Sequence, residues 1–193
     1  NISKFIDNKT CIVFGSTWRE DEGIIIPYIK NSDRKIKYII APHEISNNPK
    51  RIIKNLGDKS ILYSDIKLKT DLKEFSCLVI DNIGMLSALY NYSSISYVGG
   101  GMGKKGLHNT LEPAYFSKPI IIGKNYKKFD EANEMIQNGN MISISNYNEF
   151  NNAIESLIKN ENLSRKMSKK CTEYFNNKKG AVKIILNDLK WKN

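Results

Sequence analysis

The sequence predicts an α/β fold of the Rossmann-like kind, a parallel sheet with helices on both faces. Short apolar runs alternate with segments of helical periodicity along the chain. These runs are apolar at every position rather than at alternate ones, as is typical of strands buried on both faces. No linker, repeat or low-complexity tract interrupts the pattern, so residues 1–193 are predicted to form a single domain.

The elements follow from these runs in order. The predicted strands are residues 10–14, 37–41, 60–63, 77–80, 95–98, 118–123 and 141–144. The predicted helices are residues 19–30, 49–56, 85–92, a helix that starts near Asn109, and residues 128–137, 147–159, 163–175 and 181–191. Residues 67–74 are polar and are predicted to form a loop.

Residues that start or stop an element support several of these bounds. The first helix opens with Glu20, Asp21 and Glu22, whose negative charges stabilise a helix N-terminus. Pro42 stops the second strand, and Gly57 closes the helix before the third. The strands and helices therefore alternate with clear punctuation between them.

Composition excludes some functions and favours others only weakly. The net charge is +10, with 30 Lys and Arg against 20 Asp and Glu, but the lysines form no single block. Aromatic residues do not alternate with basic ones as a base-stacking surface requires, so no nucleic-acid partner is predicted. No apolar run approaches the roughly 18 residues of a membrane span. Because the chain begins with Asn1 and lacks an initial methionine, we expect it to be a piece of a longer protein.

The residues that bind metals or act as nucleophiles are dispersed. Three cysteines lie far apart, and Cys11 and Cys77 fall in predicted strands, which favours small core residues. His43 and His108 are the two histidines of the chain, and no serine or cysteine partners them in a recognisable pattern. Neither a metal site nor a hydrolytic triad is predicted.

A glycine-rich stretch, residues 98–113, carries the strongest functional signal. Five glycines occupy eight positions directly after a predicted strand, and a predicted helix follows. Backbone N–H groups in such a loop and at a helix start can bind an anion, which predicts a phosphate site. Asn109 and Glu112 have the spacing of a capping box. Alternatively, the Asn109 amide binds a phosphate and the Glu112 carboxylate binds the two hydroxyls of a ribose.

A dinucleotide motif and two hydroxyl residues allow other interpretations of this part of the sequence. Residues 101–106 match G-x-G-x-x-G, but the strand before them is about the fifth and no acid follows at the expected distance, so a dinucleotide site is not favoured. Ser16 and Thr17 can cap the first helix or donate hydroxyl hydrogen bonds to a sugar or carboxylate. These two roles of Ser16 and Thr17 remain open from the sequence.

The candidate residues follow four predicted strands. Residues 15–17, 42–44, 81–84 and the glycine-rich stretch all stand at the carboxyl end of a strand. In open parallel sheets, ligands bind at that edge. We therefore expect these four segments to line one crevice.

Four segments together resemble the 3-deoxy-D-manno-octulosonic acid (Kdo) transferases. They are residues 15–22, 41–44, 81–86 and 98–113, the last ending in His-Asn-Thr-Leu-Glu-Pro. The resemblance implies the C-terminal half of a two-domain GT-B glycosyltransferase that moves Kdo from CMP-Kdo to a lipid A precursor, with inversion and without a metal or other cofactor. It implies an N-terminal half with the general base, the acceptor site and the anchor at the cytoplasmic face of the bacterial inner membrane. This chain alone is then expected to bind a cytidine nucleotide without catalysing transfer.

The resemblance also assigns contacts to the donor nucleotide sugar. Asn109 and the glycine loop would hold the phosphate, Glu112 the ribose, and the backbone around Ile83 the cytosine. The complete set is Ser16, Thr17, Pro42, His43, Ile83, Gly84, Met85, Gly99, Gly100, Gly101, Gly106, His108, Asn109 and Glu112. The chain departs from the family's usual pattern at His43, where an arginine is frequent, and at Trp18, where a histidine is common.

Two other functions remain open from the sequence. The first is the C-terminal half of another GT-B glycosyltransferase that uses a UDP-sugar. The second is a non-catalytic module that binds anions or nucleotides, for example at a nucleic-acid or membrane surface.

Overall fold

The computed structural model describes residues 1–32 and 35–190, with side chains up to Asn177. Its strands are β1 Cys11–Thr17, β2 Lys37–Pro42, β3 Ser60–Leu62, β4 Cys77–Val79, β5 Ile95–Val98, β6 Ile120–Gly123 and β7 Met141–Ile144. Its helices are α1 Ile2–Ile6, α2 Arg19–Asn31, α3 Asn48–Leu56, α4 Leu86–Tyr90, α5 Leu111–Tyr115, α6 Asp130–Gln137, α7 Tyr147–Lys159 and α8 Glu161–Lys190. Short 3-10 turns cover Gly57–Lys59, Tyr63–Asp65 and Leu72–Glu74.

The described strands form one parallel sheet in the order β3-β4-β2-β1-β5-β6-β7. Every pairing is parallel, as predicted from the uniformly apolar runs. The central strand β1 pairs with β2 on one side and with β5 on the other. The chain therefore leaves β1 in one direction across the sheet and later returns to build the other half. Such a reversal opens a crevice at the carboxyl ends of the two strands that flank it.

Helices cover both faces of the sheet. Ile12 and Phe14 of β1 point to one face, where they lie in a cluster with Ile25 of α2 and Phe150 of α7. Val13 points to the other face and packs in the cluster that contains helices α4, α5, α6 and α8. Successive strand side chains alternate between faces, so a strand buried on both sides must be apolar throughout. The three cysteines are free and buried, which confirms the prediction that Cys11 and Cys77 are core residues.

Two elements near the ends of the chain differ from the prediction. Helix α1 was not predicted, because five residues are too few for a clear periodic pattern. Two C-terminal helices were predicted, but the described backbone is one helix, α8, that runs through Gly180. A glycine inside a helix costs about 1 kcal/mol relative to alanine and does not by itself end the helix. The predicted helix end at Trp191 lies outside the described residues.

Strand β1 is longer than predicted because it continues through a bulge. Its pairing register with β2 shifts between Gly15 and Thr17. Ser16, the residue inside the shift, has φ of 51°. A left-handed conformation is uncommon for a residue other than glycine and is found most often in turns and at functional sites. The bulge turns the end of β1 toward the crevice.

A buried lysine anchors the opposite edge of the sheet. Lys37, at the start of β2, is 2% exposed. Its ammonium group donates hydrogen bonds to the carbonyl oxygens of Leu72 at 3.3 Å and Lys73 at 3.0 Å, and to that of Phe75. It also lies 4.7 Å from the centroid of the Phe5 ring. Burial lowers the pKa of Lys37. These contacts attach α1 and the segment before β4 to the sheet.

Replacing Lys37 by methionine tests this anchor. The Lys37→Met variant keeps an apolar stem beside Phe5 but leaves three carbonyl oxygens without their donor. We expect its free energy of unfolding, measured by urea denaturation, to fall by about 1–3 kcal/mol. The exposed neighbour Lys35 provides the control, and Lys35→Met should change the value by less than about 0.5 kcal/mol. Equal stability of the two variants would contradict the anchoring role.

Candidate functional site

A buried carboxylate joins the carboxyl ends of β1 and β5. Asp21, in the first turn of α2, accepts a hydrogen bond from the backbone N–H of Trp18 at 2.9 Å and another from that of Gly100 at 2.8 Å. It also accepts one from the Tyr97 hydroxyl at 2.7 Å. Burial and the Asp21 carboxylate hold the pKa of Tyr97 well above its ordinary value, so this hydroxyl remains a donor. Asp21 therefore fixes the glycine loop to the start of α2.

A second buried carboxylate lies next to the first. The Glu22 side chain accepts hydrogen bonds from the Thr17 hydroxyl at 3.1 Å and the Asn48 amide at 2.9 Å, and it pairs with the Arg51 guanidinium group. Thr17 is itself fully buried. This geometry favours a structural role for Thr17 over the predicted sugar contact. Ser16, which is half-buried in the bulge, keeps its place at the crevice.

The first glycines of the loop allow the backbone to pack closely. A Cβ atom on Gly99 would lie 2.3 Å from the carbonyl oxygen of Ser16, and one on Gly100 would lie 1.9 Å from that of Gly106. Gly100 also has φ of 90°. The N–H groups of Gly99 and Gly100 already donate to Gly15 and Asp21 inside the protein. These two glycines therefore shape the loop, and an anion must be held by groups further along it.

Asn109 and Glu112 meet at the mouth of this loop. The Asn109 Oδ1 accepts from the N–H of Leu111 at 3.0 Å, and its Nδ2 donates to Glu112 Oε1 at 3.2 Å. The helix predicted to start near Asn109 is present as α5, but it begins at Leu111 with Thr110 as its N-cap, so Asn109 is not the N-cap residue of a capping box. Asn109 is exposed and Glu112 is half-buried. Within the part of the chain that the structure describes, the backbone N–H groups of Asn109 and Thr110 donate to no protein acceptor.

Three aromatic rings lie close together at the carboxyl ends of β1, β2 and β5. The Trp18 ring centroid lies 4.5 Å from that of His43 and 6.2 Å from that of His108, and the two histidine rings are 4.4 Å apart. The Trp18 indole N–H donates to His108 Nε2 at 2.8 Å. Burial lowers the pKa of His108, and the neighbouring His43 lowers it further. The Lys105 ammonium group lies 5.1 Å from the Trp18 ring.

The exit of β4 completes the crevice. A cavity of about 140 Å³ lies here, and its lining includes Ser16, Pro42, His43, Ile83 and Gly84. Ile83 is 82% exposed, so an apolar side chain and its backbone both face solvent here. Met85, the N-cap residue of α4, is half-buried and follows directly in the chain. The four segments predicted to line one crevice are thus brought to the same edge of the sheet.

A basic cavity adjoins the glycine loop. It measures about 740 Å³ and lies between the loops that follow β5 and β6. Five lysines contribute to its lining: Lys104, Lys105, Lys124, Lys127 and Lys128. The Asn125 amide donates to the carbonyl oxygen of Gly103 at 2.7 Å and so joins the two loops. Positive charge is therefore concentrated where an anionic ligand would approach.

The described residues match neither the geometry of a metal site nor that of a membrane-spanning helix. No group of three or more His, Cys, Asp and Glu side chains is arranged to hold a metal ion. In the same part of the chain, no helix combines the length and apolar character needed to cross a membrane.

The sequence interpretation did not identify the buried residues that hold the glycine loop in place. Asp21 was assigned only to the opening of a helix, and Tyr97 only to a strand. One signal was available: Asp21 stands four residues before Ile25 and eight before Ile29, so it shares the buried face of α2. A charged residue on an apolar face needs buried partners, and that requirement marks it as a structural contact.

Removing the charge of Asp21 tests its role as the junction. Asp21→Asn keeps the shape but loses the negative charge, and its amide NH2 group replaces the oxygen that accepts from the Tyr97 hydroxyl. We expect the free energy of unfolding to fall by about 1.5–3 kcal/mol and hydrogen exchange at the Gly100 amide to accelerate.

Asp130 supplies the matched control for this variant. It is an exposed acid in the first turn of α6, so Asp130→Asn loses only the favourable charge at a helix start, about 0.3–1 kcal/mol. If both variants lost the same free energy of unfolding, the three hydrogen bonds to Asp21 would contribute no more to stability than an exposed charge does.

Comparison with known proteins identifies relatives. No family model matches the chain. The 3-deoxy-D-manno-octulosonic acid transferase of Rickettsia typhi is 34% identical over 166 residues, which cover 83% of this chain and 36% of that protein. The Rickettsia bellii protein of the same name is 36% identical over 174 residues, which cover 86% and 40%.

A solved structure confirms the predicted fold class. The crystal structure of the C-terminal CMP-Kdo binding domain of WaaA from Acinetobacter baumannii matches with a TM-score of 0.76 at 20% identity, over 89% of this chain and 92% of that one. The two chains thus share the same fold, a parallel sheet covered by helices on both faces. The chain spans between a third and two fifths of the length of its Rickettsia relatives. The sequence similarity and the fold agree: this chain belongs to the 3-deoxy-D-manno-octulosonic acid transferase family.

Proposed function

We propose that residues 1–193 act as a single nucleotide-sugar-binding domain, the donor half of a glycosyltransferase that moves Kdo from CMP-Kdo to a lipid A precursor. Two findings support this proposal: the family to which the chain belongs, and the names of the relatives reported above. The observation that carries it is the hydrogen-bonded Asn109–Glu112 pair beside the glycine loop, at the point where the strand order reverses.

The phosphate is held by Asn109 and the backbone that follows the glycines. The backbone N–H of the exposed Asn109 is available to an anion, and its amide side chain adds a further donor. Lys105 contributes positive charge from the same loop without needing direct contact. Gly99 and Gly100 act indirectly in this proposal, since they allow the loop to reach its position. Gly101, Gly106 and His108 belong to the same loop and complete the anion site.

The ribose is bound by Glu112. A carboxylate has two oxygen acceptors and can take both vicinal hydroxyls of a ribose together. The Asn109 amide donates to one carboxylate oxygen at 3.2 Å and so fixes the orientation of the group. Burial and the Glu112 carboxylate raise the pKa of Tyr90, so this buried phenol stays neutral.

The cytosine binds at the cavity beside the exit of β4. Cytosine presents hydrogen-bond donors and acceptors on one edge, and backbone groups around Ile83, Gly84 and Met85 are suited to pair with them. Pro42 and His43 supply the opposite wall of this cavity. The exposed Ile83 side chain loses contact with water when a base packs on it, which adds hydrophobic stabilisation.

The remaining chemistry of transfer lies outside these contacts. We propose an inverting reaction without a metal or other cofactor, at the cytoplasmic face of the bacterial inner membrane. The general base and the lipid A precursor site belong to an N-terminal half, which also contacts the membrane surface. Nucleic acid is not a partner in this proposal. This chain alone binds the donor nucleotide and does not catalyse transfer.

Alanine variants of the pair test the nucleotide site. Asn109→Ala and Glu112→Ala should each weaken CMP binding, measured by isothermal titration calorimetry, by about 1–3 kcal/mol. The chain contains a chemically matched pair for control: at the start of α7, the Asn146 amide donates to Glu149 Oε1 at 2.9 Å. Asn146→Ala and Glu149→Ala should leave CMP affinity unchanged. Loss of affinity in all four variants would indicate a general effect on stability and would remove support for the site.

A competition experiment distinguishes the proposed donor from the alternatives. A fluorescent cytidine nucleotide bound to the chain should be displaced by CMP at lower concentrations than by UMP or UDP. Preference for UDP would assign the site to a glycosyltransferase that uses a UDP-sugar. Binding to duplex DNA with a steep salt dependence, unaffected by Glu112→Ala, would instead indicate an anion-binding module at a nucleic-acid surface.

A further inference from the structure

We infer that Trp18 is a positioning residue that fixes His108 as a neutral hydrogen-bond donor, with its ring proton on Nδ1, toward the anion at the glycine loop. Trp18 is not among the residues assigned to the donor site. The part of this inference that concerns His108 and Trp18 rests on the structure alone, and the part that concerns the anion rests on the proposed function.

The direction of one hydrogen bond sets the tautomer. The indole N–H can only donate, and it lies 2.8 Å from His108 Nε2. The Nε2 atom must therefore accept and carry no proton. A neutral imidazole has one proton, which must then be on Nδ1. His108 thus offers a donor from the ring atom that does not face Trp18.

The neighbouring contacts hold both rings in this arrangement. The backbone N–H of Trp18 donates to Asp21, and the backbone N–H of His108 donates to Gly99 at 3.1 Å. The ring of His43 lies against both, with centroids 4.5 Å from Trp18 and 4.4 Å from His108. Neither ring can rotate without breaking a stack or the indole hydrogen bond. The positions are thus fixed before any ligand arrives.

The charges around His108 oppose its protonation overall. Among the described residues, the His43 ring lies 4.4 Å from the His108 ring and Lys105 lies over Trp18, whereas the buried Asp21 carboxylate favours the cation. A proton on Nε2 would also break the bond from the indole. Burial lowers the pKa of His108 in agreement with this geometry. The site therefore presents an N–H donor that stays neutral at and above neutral pH.

This arrangement has a consequence for binding. A histidine that binds an anion as a cation loses affinity as pH rises through its pKa, ordinarily near 6.5. His108, kept neutral by Trp18, binds through the same N–H group on both sides of pH 7. The pH dependence of binding is then flat, and Trp18 is the residue that makes it so.

Nitrogen NMR of the ligand-free chain tests the tautomer directly. The chain is labelled with ¹⁵N-histidine, and His43→Asn assigns the two histidines. In the wild type at pH 7, His108 should show a protonated Nδ1 and an unprotonated Nε2. Trp18→Phe keeps an aromatic ring but removes the donor, so the Nε2–H tautomer should appear and the pKa of His108 should rise. Tyr92→Phe, at an exposed ring outside the crevice, should change neither.

A binding titration provides the second measurement. The ligand is the methyl ester of CMP, because its phosphodiester keeps one negative charge across the range. Wild-type affinity should change less than about twofold between pH 6 and 8, whereas Trp18→Phe should bind about fivefold more tightly at pH 6 than at pH 8.

The outcomes separate this inference from the proposed function. A charged His108 at pH 7, a proton on Nε2 in the wild type, or a tautomer unchanged by Trp18→Phe would overturn the inference. A variant with the expected tautomer shift but no pH-dependent affinity would overturn the assignment of His108 to the anion. If the wild type showed the expected tautomer but bound no cytidine nucleotide, the proposed function would fail while the role of Trp18 would stand.

Discussion

The Asp21 carboxylate is the contact on which the crevice depends. It lies in the protein interior, where an unpaired charge would be costly, and it accepts from three donors: the Trp18 N–H directly after β1, the Tyr97 hydroxyl of β5 and the Gly100 N–H of the glycine loop. Its place in the first turn of α2 adds the favourable charge of a helix start. Without it, the ends of β1 and β5 would still be adjacent in the sheet, but the backbone N–H groups of Trp18 and Gly100 would lose their common acceptor.

The site consists of two layers with different tasks. The inner layer, built on Asp21 and Glu22, satisfies buried polar groups and leaves few of them free for a ligand. The outer layer, with Asn109, Glu112 and His108, is exposed or half-buried and offers donors and acceptors at the mouth of the crevice. This division explains why a glycine-rich loop can bind an anion although its first two glycine N–H groups are already used.

Much of the fold was predictable because its signals are local. Seven apolar runs gave seven strands, since a strand covered on both faces has no exposed position for polar residues. The convergence of four strand exits followed from the rule that parallel strands end at a common edge. The start of α5 and the continuity of α8 were not predictable in the same way. Helix ends depend on small differences in capping, and tertiary packing outweighs such differences.

The sequence by itself determined the fold class, the edge of the sheet that carries the site and the family, because these depend on patterns and motifs that stand in continuous stretches. Only the tertiary structure decided the role of each side chain. Thr17 and Trp18 are neighbours in the chain, yet one hydroxyl is used by Glu22 in the interior while the indole reaches His108 across 90 positions. Such partners come together because a parallel sheet brings distant strand ends to one place, and spacing along a chain contains no record of those distances.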